Sequence, residues 1–160
     1  MQWTNLGDVR RTSFVEMDCS IAQALEVVGE WWSLLILRDA FKGVRRFEDF
    51  QRGLGIARNV LAERLQRLVA EGVFERRQYQ AQPDRYEYRL TEKGLDLYPI
   101  IVGLMRWGDK WAPAPDGPPV ILTHKDCDHD GTPVLTCAAC GEQVGPRDMR
   151  FRSGRSPEEA

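Results

Sequence analysis

The fold is decided by residues 46–70, which read RFEDFQRGLGIARNVLAERLQRLVA. Two phenylalanines three residues apart predict a short helix over Arg46–Gln51, and a glycine-rich turn follows at 53–55. Apolar residues then recur at helical spacing over Ile56–Ala70, which predicts the clearest amphipathic helix of the chain. These features predict two helices joined by a tight turn.

A charged β-hairpin is predicted directly after this pair of helices. The strands are expected over Val73–Gln78 and Tyr86–Leu90, and Pro83 lies in the loop between them. A short helix, a turn, an amphipathic helix and a hairpin occur in this order in the winged helix-turn-helix. We therefore expect an α+β fold that is mainly α, with a recognition helix at 56–70 and a wing at 78–86.

Helices are also predicted on both sides of this unit. Ser20 and Gln23 resemble a capping box that opens a first helix, and Trp31–Phe41 forms a second, mostly buried one. Thr91 is expected to cap a final helix that reaches Trp111 and is kinked by its proline. Because this last helix is apolar on several sides, it needs a second neighbour, which is predicted to be another subunit.

Composition divides the chain into four parts. Residues 1–112 are expected to form the winged helix-turn-helix and dimerisation domain. Residues 113–119 continue a proline-rich run that cannot be helical and is predicted to be a linker. Residues 120–150 hold three of the four cysteines and both histidines, and are expected to form a small β-ribbon tail. The end, 151–160, is predicted to be disordered.

Charge is distributed unevenly along these 160 residues. The net charge of the chain is −2, but residues 45–89 carry ten arginines against seven acidic residues, a net charge of +3. This contrast is compatible with nucleic acid binding and does not demonstrate it. No apolar run is long enough to cross a membrane, and the N-terminus does not resemble a secretory signal. We therefore expect a cytoplasmic protein with reduced thiols and no membrane partner.

The polar side of the 56–70 helix offers groups that suit base edges in the major groove. Arginine pairs with guanine, and asparagine or glutamine with adenine, so Arg58 and Asn59 are the best base-reading candidates. Gln66 and Arg67 lie on the same predicted side. Phosphate contacts are assigned to four further arginines, with the minor groove as an alternative for the last: Arg45, Arg46, Arg64 and Arg85. The competing interpretation is an ordinary solvated helix face.

Residues 19–112 closely resemble the HxlR family of winged-helix regulators. The matching stretches keep their order and spacing, and they comprise Cys19, GEWWSLLIL at 29–37, RFEDF at 46–50, LGI at 54–56, LAERL at 61–65, GV at 72–73, Pro83, RYEYRLT at 85–91 and Gly94. The resemblance implies a homodimer whose interface is formed by the N-terminal helix and the final helix. Such a dimer binds two half-sites of a palindromic operator and acts as a repressor or an activator. Two departures are Trp31, where the family usually has a basic residue, and Ala57, where it often has Ser or Thr.

Cys19 matches a position that some members of the HxlR family use to sense oxidants or electrophiles. A helix N-terminus favours a thiolate, although the neighbouring Asp18 opposes it. The alternative is a small, half-buried cysteine that packs at the dimer interface. Both interpretations remain open at this stage.

The tail contains His124, Cys127, Cys137 and Cys140 in the pattern H-x2-C-x9-C-x2-C. Two cysteines two residues apart suit a tetrahedral Zn²⁺, and a structural zinc would explain how so short a segment folds. His129 is a competing ligand. The alternatives are a redox pair formed by Cys137 and Cys140, or a β-ribbon without metal.

A DNA-binding transcription regulator without enzymatic activity is the function that these patterns favour. A second class is a thiol or zinc enzyme, but the Cys-x-x-Cys lies outside any βαβ pattern. A third class is a protein-interaction module built on a winged helix, because a fold alone does not determine function.

Overall fold

The computed structural model describes residues 13–131, 133–152 and 154, and the chain divides into two compact units, residues 1–103 and 104–160. The first unit contains four helices, a two-stranded hairpin and a short fifth helix: α1 (Ser20–Val28), α2 (Trp31–Phe41), α3 (Phe47–Leu54), α4 (Arg58–Ala70), β1 (Phe74–Ala81), β2 (Asp84–Leu90) and α5 (Glu92–Leu95). Helix α6 (Tyr98–Trp111) begins in the first unit and ends in the second. The predicted α+β, mainly α winged helix-turn-helix is confirmed.

The core of the first unit lies between α2, α3, α4 and β1. Its fully buried side chains come from all four elements: Ile36, Leu37, Phe50, Leu61, Leu65, Leu68 and Phe74. The rings of Phe50 and Phe74 meet edge to face at 6.4 Å, which joins α3 to the wing. The apolar stripe predicted for α4 is therefore the side that anchors this helix.

The turn between α3 and α4 is closed by one glycine. Helix α3 runs three residues further than predicted and includes Gly53, whereas Gly55 ends it with φ 62°, a conformation that favours glycine. Helix α4 begins at Arg58 instead of Ile56, because Ile56 turns into the core and Ala57 is the N-cap. As expected from its side chain, Ala57 supplies no capping hydrogen bond.

Helix α1 begins differently from its prediction. The capping box does not form, since Cys19 is the N-cap and the Gln23 amide donates to the carbonyl oxygens of Phe14, Val15 and Met17. Of the apolar residues of α1, Ala22 and Val28 are buried, whereas Ile21 and Leu25 are exposed. The amide of Gln23 thus holds the segment before α1 and does not cap the helix.

The wing is an antiparallel hairpin that is attached to the body near α3. Phe74 pairs with Leu90 and Ala81 with Asp84, with an irregularity between Gln78 and Gln80. Both strands extend further toward the tip than predicted. An isolated bridge joins Arg46 to Glu87, and the Tyr88 N–H donates to the Arg45 carbonyl at 2.7 Å. The wing is therefore fixed to the residues that precede α3.

The predicted final helix is two helices. Thr91 caps α5 as expected, its hydroxyl accepting from the Gly94 N–H at 3.2 Å. The helix is interrupted by a turn at residues 96–97, so Pro99 does not kink a continuous helix. It lies in the first turn of α6, where its missing N–H is not needed.

The second unit contains the end of α6 and the tail. Residues 112–119 are non-helical as predicted, and two short strands follow, β3 (Thr123–His124) and β4 (His129–Asp130), which pair antiparallel. Arg106 donates to the Pro133 carbonyl at 2.6 Å. The second unit begins at residue 104, so the predicted boundary at 112 lies inside it.

Some sequence expectations lie at or beyond the limits of the described residues. The first twelve residues and most of the predicted disordered end lie outside them. Among the helices that are described, none is by itself both long and apolar enough to cross a membrane, and only α1 and α2 together, bent by 78°, meet that test.

Candidate nucleic-acid interface

Helix α4 presents a polar face to solvent on the side away from the core. Arg58, Asn59, Glu63 and Gln66 are exposed there, whereas Leu61 and Leu65 are buried. Arg58 and Asn59 occupy the first turn, which is the part of a recognition helix that reaches base edges. The arrangement leaves both predicted base-reading side chains accessible.

An arginine-rich groove lies beside this face, between α3, the start of α4 and the wing. Its cationic lining consists of Arg46, Arg52, Arg58, Arg76 and Arg85. Three acidic residues, Glu48, Asp49 and Asp84, also line it, so the lining has a net positive charge. Such a groove suits a polyanion with its backbone on one side of the recognition helix.

Aromatic rings hold three of these guanidinium groups. Arg58 lies over the Phe47 ring at 4.8 Å, Arg46 over Tyr79 at 4.7 Å and Arg76 over Tyr86 at 3.6 Å, each measured from Cζ to the ring centroid. A stacked guanidinium keeps its N–H groups available at its edges. The rings therefore restrict where the cations lie and leave their hydrogen-bond donors free.

The other two predicted wing-side contacts are also accessible. Arg45 is exposed next to the strand bridge, and its backbone carbonyl is bonded to the wing. Arg85 is exposed close to the hairpin tip, where it pairs with Gln80 in the register. Both side chains are therefore accessible from solvent.

Arg64 and Arg67 are placed differently from the rest of the predicted set. The Arg64 side chain is only 15% exposed, with Nη2 at 3.6 Å from a carboxylate oxygen of Glu30 and Nη1 at 3.4 Å from one of Glu63. Arg67 donates to the Glu26 carbonyl oxygen and lies 3.9 Å from the carboxylate of the same residue. These intramolecular partners do not favour the phosphate contact predicted for Arg64, nor the predicted place of Arg67 on the DNA-facing side of α4.

Two of the groove arginines, Arg52 and Arg76, and the Tyr79 ring that Arg46 contacts were not among the site residues predicted from the sequence. Arg52 lies in the part of α3 beyond its predicted end, and Tyr79 lies in the part of β1 beyond its predicted end. Arg76 pairs with Tyr88, next to the Tyr86 ring over which it stacks. The alternation of Phe74, Arg76 and Gln78 along β1 was the available signal, because residues two apart share one face of a strand.

Cys19 is half-buried at the N-cap of α1. Its backbone is extended, its N–H donates to the Met17 carbonyl at 2.8 Å, and its side chain makes no capping hydrogen bond. This position agrees with the expectation that Cys19 lies at a helix N-terminus, one residue closer to the helix than predicted. It leaves both interpretations of the thiol open.

The histidines and cysteines of the tail form two separate pairs. His124 Nδ1 lies 3.2 Å from the Cys127 sulfur, whereas Cys137 lies near Cys140 in a turn closed by the Gly141 N–H. Backbone N–H groups of Cys140 and Ala139, and then the Cys140 side chain, lower the pKa of the Cys137 thiol, which burial opposes. Within the described residues no three His, Cys, Asp or Glu side chains come together at metal-binding geometry. The arrangement does not fit the predicted tetrahedral zinc.

We accordingly expect the purified protein to contain little zinc. Two ligands alone hold Zn²⁺ weakly, since structural sites use four. Elemental analysis of protein purified without added metal should give below about 0.1 zinc per chain. A stoichiometric zinc content that is lost in a Cys137→Ser variant would contradict this expectation and restore the zinc hypothesis.

Comparison with known proteins places this geometry in a family. The model of the HxlR-like helix-turn-helix family matches residues 27–116. An uncharacterised HTH-type transcriptional regulator of Mycobacterium tuberculosis, Rv3095, is 52% identical over 135 residues, which cover 84% of this chain and 85% of that protein. The Bacillus subtilis regulator YvaP is 34% identical over 97 residues, covering 60% of this chain and 90% of that protein.

Solved structures agree with the sequence comparisons. PA1607, described as a candidate transcription factor, is 37% identical, with a TM-score of 0.77 over 88% of this chain and 99% of that one. The oxidised redox regulator HypR is 33% identical, with a TM-score of 0.53 over 56% of this chain and 94% of that one. The chain therefore belongs to the HxlR-like helix-turn-helix family, and it is a transcriptional regulator with a DNA-binding fold and not an enzyme.

Proposed function

We propose that the protein is a homodimeric repressor that binds a palindromic operator in double-stranded DNA in the cytoplasm. The observation that carries this proposal is the exposed polar first turn of α4 beside the arginine-lined groove. Repression is the effect that we assign, since a dimer bound to an operator inside a promoter would exclude polymerase. The protein-interaction module remains the alternative that the DNA-binding experiment tests.

Helix α4 reads bases in the major groove in this proposal. The groove of B-DNA admits one α-helix, and the exposed Arg58 and Asn59 offer bidentate donors and acceptors to guanine and adenine. Gln66 lies two turns further along the exposed side and extends the contact. Because Phe47 stacks on Arg58, this guanidinium loses less freedom when it binds a base.

The wing and the residues before α3 bind the flanking backbone. Arg45 and Arg46 lie at the strand bridge, and Arg76 and Arg85 come from the hairpin. Each neutralised phosphate releases counterions, so affinity should fall as salt concentration rises. Arg85 lies near the tip and can enter the minor groove when the tip points toward it.

Dimerisation is supported by an apolar stripe on α6. Ile100, Leu104, Trp107 and Trp111 are exposed and follow one another at intervals of four, three and four residues. In the part of α6 that belongs to the first unit, Ile101 packs against the core and Val102 is buried. A stripe with this spacing is typical of a helix that pairs with another helix.

Selection of bound duplexes from a random pool tests the proposed function. We expect enrichment of a palindrome whose half-sites are about one helical turn, or a multiple of it, apart. Retention should be lost progressively as salt increases. Failure to enrich any sequence at low salt would contradict the proposal and favour the interaction module.

A thiol switch at Cys19 is a second element of the proposal, supported by the similarity to the redox regulator HypR. Cys19 lies where α1 begins. Its thiol and a second thiol form a disulfide when together they lose two electrons and two protons to an oxidant such as a diazenedicarboxamide. We expect this oxidant to change operator binding by the wild type and to leave a Cys19→Ser variant unaffected. Equal responses of the two proteins would remove Cys19 as the sensor.

A further inference from the structure

The two arginines of α4 that turn away from the groove both point to one place, the junction of α1 and α2. We call residues 26–30 the elbow, where the two helix axes differ by 78°. Gly29 ends α1 with its N–H bonded to the Leu25 carbonyl at 2.8 Å. A Cβ on Gly29 would lie 2.4 Å from that oxygen, so the elbow is a tight turn with no room for a side chain there.

Arg67 contacts the first side of the elbow. Its guanidinium donates to the carbonyl oxygen of Glu26, which belongs to the last turn of α1. Carbonyls in this turn have no donor within their own helix, and a cation there is also favoured by the helix dipole. Arg67 therefore supplies a cap that α1 lacks.

Arg64 contacts the second side of the elbow, one turn of α4 away. Its Nη2 lies 3.6 Å from a carboxylate oxygen of Glu30, the N-cap residue of α2. Among the described residues its Nε is buried without a hydrogen-bond partner, so the group is held through its terminal nitrogens. At 15% exposure the Arg64 side chain is mostly covered, and it does not line the arginine-rich groove.

We propose that Arg64 and Arg67 are positioning residues that clamp the recognition helix to the elbow and bind no phosphate. The core contacts of Leu61, Leu65 and Leu68 attach α4 to the body, but apolar contacts have little directional preference. Two guanidinium contacts on either side of the elbow fix how α4 is rotated. That rotation sets where Arg58 and Asn59 point.

The clamp also connects the outer surface of the elbow to Arg58 and Asn59, the side chains proposed to read bases. Trp31, directly after the elbow, is 83% exposed, and Leu25 is exposed just before it. A shift of the elbow would move the groups that Arg64 and Arg67 contact, and with them the direction of Arg58 and Asn59. This inference rests on the proposed function, since it concerns how α4 is presented to DNA.

The clamp and a phosphate contact make opposite predictions for Glu30→Gln. Removing an acidic charge near DNA should tighten binding if electrostatics alone acts. If Glu30 holds Arg64 in place, the same change should weaken binding. Glu75→Gln is the matched control, because it removes an exposed acid from β1.

The experiment measures binding of wild type, Glu30→Gln, Arg64→Gln, the double variant and the control Glu75→Gln over a range of salt concentrations. The probes are a duplex enriched by the wild type and a scrambled duplex of equal length. We expect each single variant to bind the enriched duplex about five- to tenfold more weakly, with the double variant no worse. Binding to the scrambled duplex and the salt slope should stay as in the wild type, which a general loss of folded protein would not produce.

The clamp is overturned if Glu30→Gln tightens binding as Glu75→Gln does. It is also overturned if Arg64→Gln weakens binding to both duplexes alike and reduces the salt slope by about 1, the amount expected for one lost phosphate contact. A wild type that enriches no duplex would instead contradict the proposed function. Thermal unfolding without DNA of the wild type, the Glu30→Gln and Arg64→Gln variants and the double variant then tests the contact between Glu30 and Arg64. Additive effects of the two substitutions in that measurement would overturn it.

Discussion

Arg58→Ala should weaken binding to the enriched operator by about 1–3 kcal/mol, or roughly five- to 150-fold, and relax the preference at one base position. Arg58 is exposed in the first turn of α4, and its stack on Phe47 at 4.8 Å holds the guanidinium near the groove. Loss of a bidentate contact leaves a guanine edge without its donors. Titration of duplexes carrying each base in turn at every position measures both effects.

Arg58→Lys is the control that separates base reading from charge. Lysine keeps the positive charge but lacks the planar fork that matches a guanine edge. We expect this variant to keep the salt slope of the wild type and to lose most of the base preference. A lysine variant that retains full preference, or an alanine variant that weakens all duplexes equally, would reassign Arg58 to the phosphate backbone.

The sequence predicts the elements of the winged helix well because each is encoded locally. The apolar spacing of α4 and the glycine at its preceding turn depend on nearby residues, and both were confirmed. The N-cap of α5 at Thr91 depends on a side chain three residues from its partner. Errors at helix ends, such as Ile56, arose where a buried contact outside the helix decides the backbone.

The roles of individual polar residues are harder to predict because they depend on distant elements. Helical spacing alone puts Arg67 on the polar side of α4, but the elbow that it contacts lies about forty residues earlier in the sequence. The same reasoning applies to Arg64 and Glu30. Likewise the spacing of His124 and Cys137 suits zinc, although it does not determine whether the two pairs meet.

The exposed side of α1 shows the same limit for apolar residues. Ile21 and Leu25 have the spacing of a core-facing stripe, yet both are exposed. Periodicity identifies an apolar side of a helix and does not say whether its neighbour belongs to the same chain. Helix α6 presents this question more clearly, because it has one apolar side on the body and another in solvent.

Leu104→Glu should convert the protein to a monomer and weaken binding to the palindrome by at least about a hundredfold. Leu104 is 50% exposed in the middle of the α6 stripe, between Ile100 and Trp107. A carboxylate there has to be buried without a partner if two such helices pair, which costs more than the apolar contact that it replaces. A monomer then binds one half-site and loses the effective concentration that linkage to a second subunit provides. That linkage raises the affinity by a factor of about 10²–10⁴. Sedimentation equilibrium and a binding titration on the enriched palindrome measure the two effects.

Leu135→Glu supplies the matched control for this substitution. Leu135 is 69% exposed in the tail, so the same change in charge and polarity occurs at an accessible leucine outside the stripe. We expect this variant to remain a dimer with the operator affinity of the wild type. If Leu104→Glu also stays dimeric, the α6 stripe is not the interface. If it becomes monomeric but binds the palindrome as tightly as before, the two half-sites are not read by linked subunits, and a single α4 with its wing must account for the whole affinity.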